Sequence, residues 1–310
     1  MGWLYKRVFS ISPQETTFAR RGFREVEPKV RQRLEWIGDI FLQGYHAALE
    51  GGERGALVLQ LNAVEAEFRG FAFEGAAMGL ALLDYLMPWR RDRLSAFLEG
   101  PGAAHVYMVH VGVGWVLGRL GLRVERLLAR LDPLLRWLAI DGYGFHEGYF
   151  RWRRCVDGQE VPARLSGYAR RAFDQGLGRS LWFVEGADAS RIAATIAAFP
   201  PSRQADLWSG IGLASTYAGG VERPTLEVLR AAAGSHRGAL AQGAAFAAQA
   251  RQRAGNPAPH TEAACRVYCA LSADEAARVT DDALSELPSD GTVPAFEVWR
   301  GRIRERFAEA

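Results

Sequence analysis

Three histidines sit beside glycines in apolar surroundings: His46 in FLQGYHAA, His110 in HVGVGW and His146 in FHEGYF. Two carboxylates keep the same company, Glu74 in FEGAAMG and Glu147 next to His146. A histidine with a carboxylate within reach can move protons, and a carboxyl group withdrawn from water holds its proton closer to neutrality. His146, Glu147, Glu74 and His110 are therefore the candidate catalytic residues. The competing reading makes each histidine a hydrogen-bonded part of its helix, since one sequence does not show that these groups converge. A second cluster, HTEAACRVYC, puts Cys265 and Cys269 one helical turn apart with His260 and Glu262 close by. A structural zinc site wants four firm ligands, and three at best are present. Apolar helix packing by the cysteines is expected, and no metal. No P-loop, G-x-S-x-G elbow or H-E-x-x-H occurs. HVGVGWVLG holds a G-x-G, but without the preceding strand of a dinucleotide fold. No cofactor is expected.

What must position these groups is a set of helices marked by glycines. Gly44, Gly75, Gly112, Gly148, Gly176, Gly212 and Gly243 recur about every 33 residues. Gln43, Glu74, Glu147, Gln175 and Gln242 each precede one of them, and a small residue often follows one turn later. Each glycine costs its helix about 1 kcal/mol relative to alanine, so close approach of two backbones must offset the loss. Second helices fill the intervals, the clearest being VERLLARLDPLLRWL (124–138), with SRIAATIAAF and TLEVLRAAAG in later units. A helix pair at this period marks an α/α repeat. The expected fold is all-α: one domain over 1–310, an α/α superhelix (solenoid or toroid) of about seven divergent helix-pair repeats. Residues 1–35 would form an N-terminal cap, 36–270 the repeats and 271–310 a C-terminal cap. An unrelated helical bundle with scattered glycines is the alternative. SPQE, with Ser12 and Glu15, and SADE, with Ser272 and Glu275, both read as capping boxes. Asp188 reads as an N-cap, and Pro200-Pro201 ends the helix that follows it.

One stripe of each glycine helix would line an inner surface. It supplies the candidate ligand-binding residues Gln43, His46, Trp115, Tyr143, Gln175, Arg179, Trp208 and Gln242, a polar lining with aromatics interleaved. Such a lining suits an elongated ligand, although a solvated face would read the same way. With 49% hydrophobic residues the chain can bury a large core. Its net charge of +3 comes from arginines scattered among acids, without the clustered basic stripe of a nucleic-acid surface. The apolar run 106–117 is broken by His110 and too short to span a bilayer. MGWLYKRVFSISPQET lacks the apolar core of a signal peptide. Three cysteines, an odd number, fit a reducing cytoplasm.

Several longer strings carry a family resemblance: RGFAFEGAAMGLALLD, HVGVGW, DGYGFHEGYF, RAFDQGLGRSLWF and ADLWSGIGLA. Over nearly the whole chain, about 16–307, they resemble a bacterial protein family of unknown function whose members are usually described as enediyne biosynthesis proteins. Members are encoded beside iterative polyketide synthases that make a linear polyene. The resemblance implies a role in maturing or cyclising that polyene, and so a hydrophobic polyene or polyketide-derived small molecule as partner. It adds a pathway and no residue roles. A non-catalytic helical-repeat scaffold for partner biosynthetic enzymes is the alternative. An enclosed cavity of several hundred cubic ångströms would favour the enzyme; an open groove with exposed aromatics would favour the scaffold.

Overall fold

The computed structural model describes residues 2–51, 54–87, 89, 92–121 and 123–308, with residues 2–5 and 54 described by their backbone alone. The described residues are helical and contain no strand. Seven long helices carry the glycines: α1 (Pro28–Glu50), α2 (Ala66–Leu86), α3 (Val106–Leu120), α4 (Trp137–Phe150), α5 (Tyr168–Val184), α6 (Pro201–Ala218) and α7 (Arg237–Ala254). Each packs on the next in chain order. Contacts advance in step along both partners: Gly75 lies on Phe41 and Gly79 on Tyr45, Gly114 on Ala139 and Gly118 on His146. Neighbouring long helices therefore run parallel, and the chain must travel back between them. Shorter helices do this, among them Ala189–Ala197, Arg223–Ala232 and Pro259–Tyr268, which pack side by side in a second row. A final helix, α8 (Ala295–Ala308), lies against α7.

Two glycines per unit make the packing. In α3, Gly112 faces the Glu74 carbonyl of α2, whereas Gly114 faces the Ala139 carbonyl of α4. Gly142 and Gly144, Gly176 and Gly178, and Gly210 and Gly212 repeat this arrangement in α4, α5 and α6. Positions two apart lie about 200° apart around a helix, so G-x-G clears both flanks of a helix held between two others. A Cβ on any of these eight would sit 1.8–2.2 Å from a neighbour's carbonyl oxygen. Only hydrogen fits, and Cα–H groups meet carbonyls there.

This geometry corrects the repeat register. Gly75, Gly112, Gly176 and Gly243 all face the preceding helix, as equivalent positions should. Gly44 and Gly212 face the following one, so Gly210 is the true counterpart in α6. Gly148 belongs to neither set: it makes room for the Ser180 side chain, and Gly142 holds the place in α4.

The segment 124–138 is not one helix. Val124–Leu128 is helical, turns follow, and α4 starts at Trp137. Asp132 explains the break, because its Oδ1 accepts from the Leu134 and Leu135 amides at 2.9 and 2.8 Å. Pro133 adds to it by disfavouring helical geometry at Asp132. Ser272 and Glu275 form the expected capping box, on a helix ending at Asp282. Asp188 caps Ala189–Ala197 through the Arg191 amide. Ser12 caps only a short 3-10 turn, Pro13–Thr16. No described helix is long and apolar enough to cross a membrane.

Candidate functional site

The inner faces of α1 to α6 enclose a small apolar cavity of about 50 Å³, with Phe41, Phe71, Trp115, Phe145, Tyr149, Phe150, Phe183 and Tyr217 in its wall. Ile11 and Thr16 of the N-terminal segment close one side. A second cavity of about 30 Å³ lies beyond, lined by Met108, Phe246, Gln249 and Trp299. Arg179, Leu213 and Tyr217 border both. The central cavity thus falls well short of the several hundred cubic ångströms expected of an enclosed enzyme site. A much larger concavity lies elsewhere, an open groove of about 1650 Å³ beside the first half of α1, with the half-exposed Trp36 in its wall.

Three of the candidate residues meet at the central cavity. Glu74 is 3% exposed, and its Oε1 accepts from Trp115 Nε1 at 3.0 Å. Burial pushes its carboxyl up to about 7, against the opposing effect of Arg179 and the Trp115 hydrogen bond. Arg179 is itself buried, is paired with Asp141, and stacks on Phe145 with its guanidinium carbon 5.0 Å from the ring centre. Trp115 stacks on Phe41 at 4.2 Å.

The remaining candidates are placed apart. His146 and Glu147 do form a hydrogen-bonded pair at 3.1 Å, with Arg151 on the other carboxylate oxygen at 2.9 Å. His146 meets the edge of Trp115, outside the cavity wall, so the indole separates this pair from Glu74. Burial holds the His146 ring below its usual value and hence neutral. His110 lies 2.8 Å from the Val106 carbonyl of its own helix; its buried Nε2 has no partner among the described residues and lies away from both cavities. His46 accepts the Ile11 amide at 3.2 Å and so pins the N-terminal segment. Gln43 is exposed, while Tyr143 and Trp208 are packed in the core. Cys265 and Cys269 are buried, and His260 Nε2 lies 3.0 Å from the Tyr217 carbonyl. Among the described residues no group of three His, Cys, Asp or Glu could hold a metal ion.

Gln175 and Gln242 belong to a polar ladder that the corrected register explains. The residue before each rearward glycine is Asp141, Gln175, Ser209 and Gln242 in successive helices. Gln175 donates to Asp141 at 2.8 Å. The Ser209 hydroxyl lies 3.1 Å from Gln175 Oε1 and 2.8 Å from Gln242 Oε1. Arg300 of α8 then donates to Gln242 at 3.1 Å. Glu74 occupies the same position in α2, but Val111 interrupts the row in α3, leaving Glu74 detached from the ladder.

Tyr217 was not legible as a site residue. Its ring meets Phe71 edge-on at 5.2 Å, with the Arg251 guanidinium carbon 4.2 Å from the ring centre. Its hydroxyl is buried near the Asn256 side chain, with no partner within hydrogen-bond distance among the described residues. It occupies the space that the missing side chain of Gly70 leaves on α2. The only sequence signal is its location, one turn beyond Leu213 on a glycine helix.

No curated protein and no solved structure matches the chain. The family model described as "Protein of unknown function (DUF1702)" matches residues 1–307, and the chain belongs to that family.

Proposed function

We propose that the glycine helices wind as an α/α superhelix around a ligand lumen, and that the protein binds a slender, largely apolar, unsaturated molecule there. The family resemblance in the sequence supplies the setting, maturation of a polyketide-derived polyene in enediyne-type biosynthesis. The carrying observation is the aromatic cavity at the centre of the helices, with Glu74 and Glu15 as the carboxyl groups in its wall. Apolar walls with few polar groups suit such a ligand. The cavity of about 50 Å³ holds about four water molecules. A longer ligand therefore requires the segment at Ile11–Thr16 to lift, or Tyr217 to swing and join the second cavity.

The alternative, a scaffold for partner enzymes, has the open groove and Trp36 in its favour. One titration separates the two. Parinaric methyl ester, a linear conjugated tetraene, brightens in apolar surroundings. The wild type is expected to bind it, and Ala214→Phe, which fills the cavity wall, to weaken binding at least tenfold while Trp36→Ala leaves it unchanged. Absence of binding, or loss with Trp36→Ala alone, sinks the lumen reading.

A further inference from the structure

Glu74 and Tyr217 share a cavity and a helix face. The Tyr217 hydroxyl is lodged over Gly70, where a Cβ would lie 1.9 Å from it, and Glu74 stands one turn further along α2. Residues four apart occupy the same face, about 6 Å apart along the axis. A carboxyl group and a phenol thus flank one short stretch of apolar cavity. Trp115 donates to Oε1 of Glu74, and the buried Tyr217 hydroxyl has no partner within hydrogen-bond distance among the described residues. Keeping a buried hydroxyl from a partner is costly. A ligand oxygen at that point would remove that cost.

We propose that Glu74 and Tyr217 act together on a β,γ-unsaturated carbonyl compound, Glu74 moving a proton along the chain while Tyr217 binds the carbonyl oxygen. This rests on the lumen reading and names its chemistry. Glu74 as carboxylate takes a proton from the carbon between the carbonyl and the double bond: that C–H bond breaks and an O–H bond forms on Glu74. The freed electron pair moves into the carbonyl, and the enolate oxygen accepts from the Tyr217 hydroxyl. Glu74 then gives up its proton, either back to the first carbon, where prior exchange of the carboxyl with heavy water leaves deuterium, or to the far carbon of the former double bond, and the pair moves back to give the conjugated enone. No atom is gained or lost, and no oxidant or reductant is needed.

The surroundings suit each role. A base is most effective when its pKa lies near the working pH, and burial places Glu74 at about 7. Burial also raises the Tyr217 phenol, opposed by Arg251 and by the neighbouring Asn256 side chain, so the hydroxyl keeps the proton it must donate.

The test uses a straight-chain β,γ-unsaturated methyl ketone in heavy water with the full-length protein. Ultraviolet absorbance reports the conjugated enone, and NMR reports deuterium at the carbon beside the carbonyl. The wild type is expected to do both. Glu74→Gln, which keeps an acceptor for Trp115, should lose about 100-fold or more in isomerisation and exchange. Tyr217→Phe should lose about 100-fold in kcat with KM nearly unchanged. A wild type that binds the tetraene and the ketone yet neither exchanges nor isomerises overturns this proposal and leaves the lumen reading standing. Full activity in Glu74→Gln or Tyr217→Phe overturns it too. Failure to bind either molecule removes the lumen reading and this one with it.

Discussion

Glu74 is held out of water beside an indole N–H, and its pH behaviour follows from that. Burial raises its carboxyl from 4.5 to about 7. Between those values the native protein keeps a proton that the unfolded chain has released. Native stability therefore falls as pH rises through this window, by up to about 3 kcal/mol. Glu74→Gln removes the cost while keeping the acceptor for Trp115. Urea unfolding should show the variant more stable than the wild type at pH 8, with little difference at pH 4.5. An equal difference at both would contradict the assignment. His105, buried against Phe73 and pushed down to about 4, acts in the opposite sense, losing stability as pH falls from 6.5. Comparing variant with wild type cancels that contribution. The same substitution should thus stabilise the fold and abolish the proposed chemistry, as expected of a group strained for function.

At the scale of the helix, G-x-G does what the overall composition hides. Alanine raises helix propensity by about 1 kcal/mol over glycine, so a purely local argument predicts that Gly176→Ala stabilises. Its Cβ would lie 1.8 Å from the Asp141 carbonyl, a backbone atom that cannot move without its helix. The expected result is a loss of at least 2 kcal/mol, through overpacking. Gly301 in α8 is the control: its nearest foreign atom is the end of Arg304 at 3.7 Å, so Gly301→Ala should gain up to about 1 kcal/mol. Thermal melts of the two variants moving the same way would refute this account of the repeat. Register was the difficult part of the sequence to read. Gly142, Gly144 and Gly148 all lie in α4, and only the neighbours' carbonyls tell which glycine faces which helix.

Across the whole molecule, α8 ties the far end of the row together. Arg300 is fully buried and reaches Asp206 of α6 at 2.9 Å, Gln242 of α7 at 3.1 Å and the Tyr168 hydroxyl of α5 at 3.2 Å. Arg171 shares Asp206 and Glu297 with it. Removing one partner of a buried network leaves charges unpaired, at about 3–5 kcal/mol. Arg300→Leu should therefore lower the unfolding free energy by about 3 kcal/mol at neutral pH, read from urea denaturation. A change under 1 kcal/mol would show that Arg171 and Arg304 carry the cluster alone. At the other end, His46 and Tyr45 hold Ile11 and Phe9 by their backbones, which is how the N-terminal segment comes to close the cavity.

Local chemistry was enough to settle the helices and their punctuation. Period, capping residues and paired prolines act within a few residues, so the sequence alone determined an all-helical chain with glycine helices about 33 residues apart, and it marked Glu74, Trp115 and Arg179. Which of the remaining polar groups share a space depends on rotation about helix axes and on packing between residues far apart in the chain. Tertiary structure alone therefore separated His146 and Glu147 from Glu74, turned Gln175 and Gln242 into a ladder, and brought Tyr217 of α6 over Gly70 of α2.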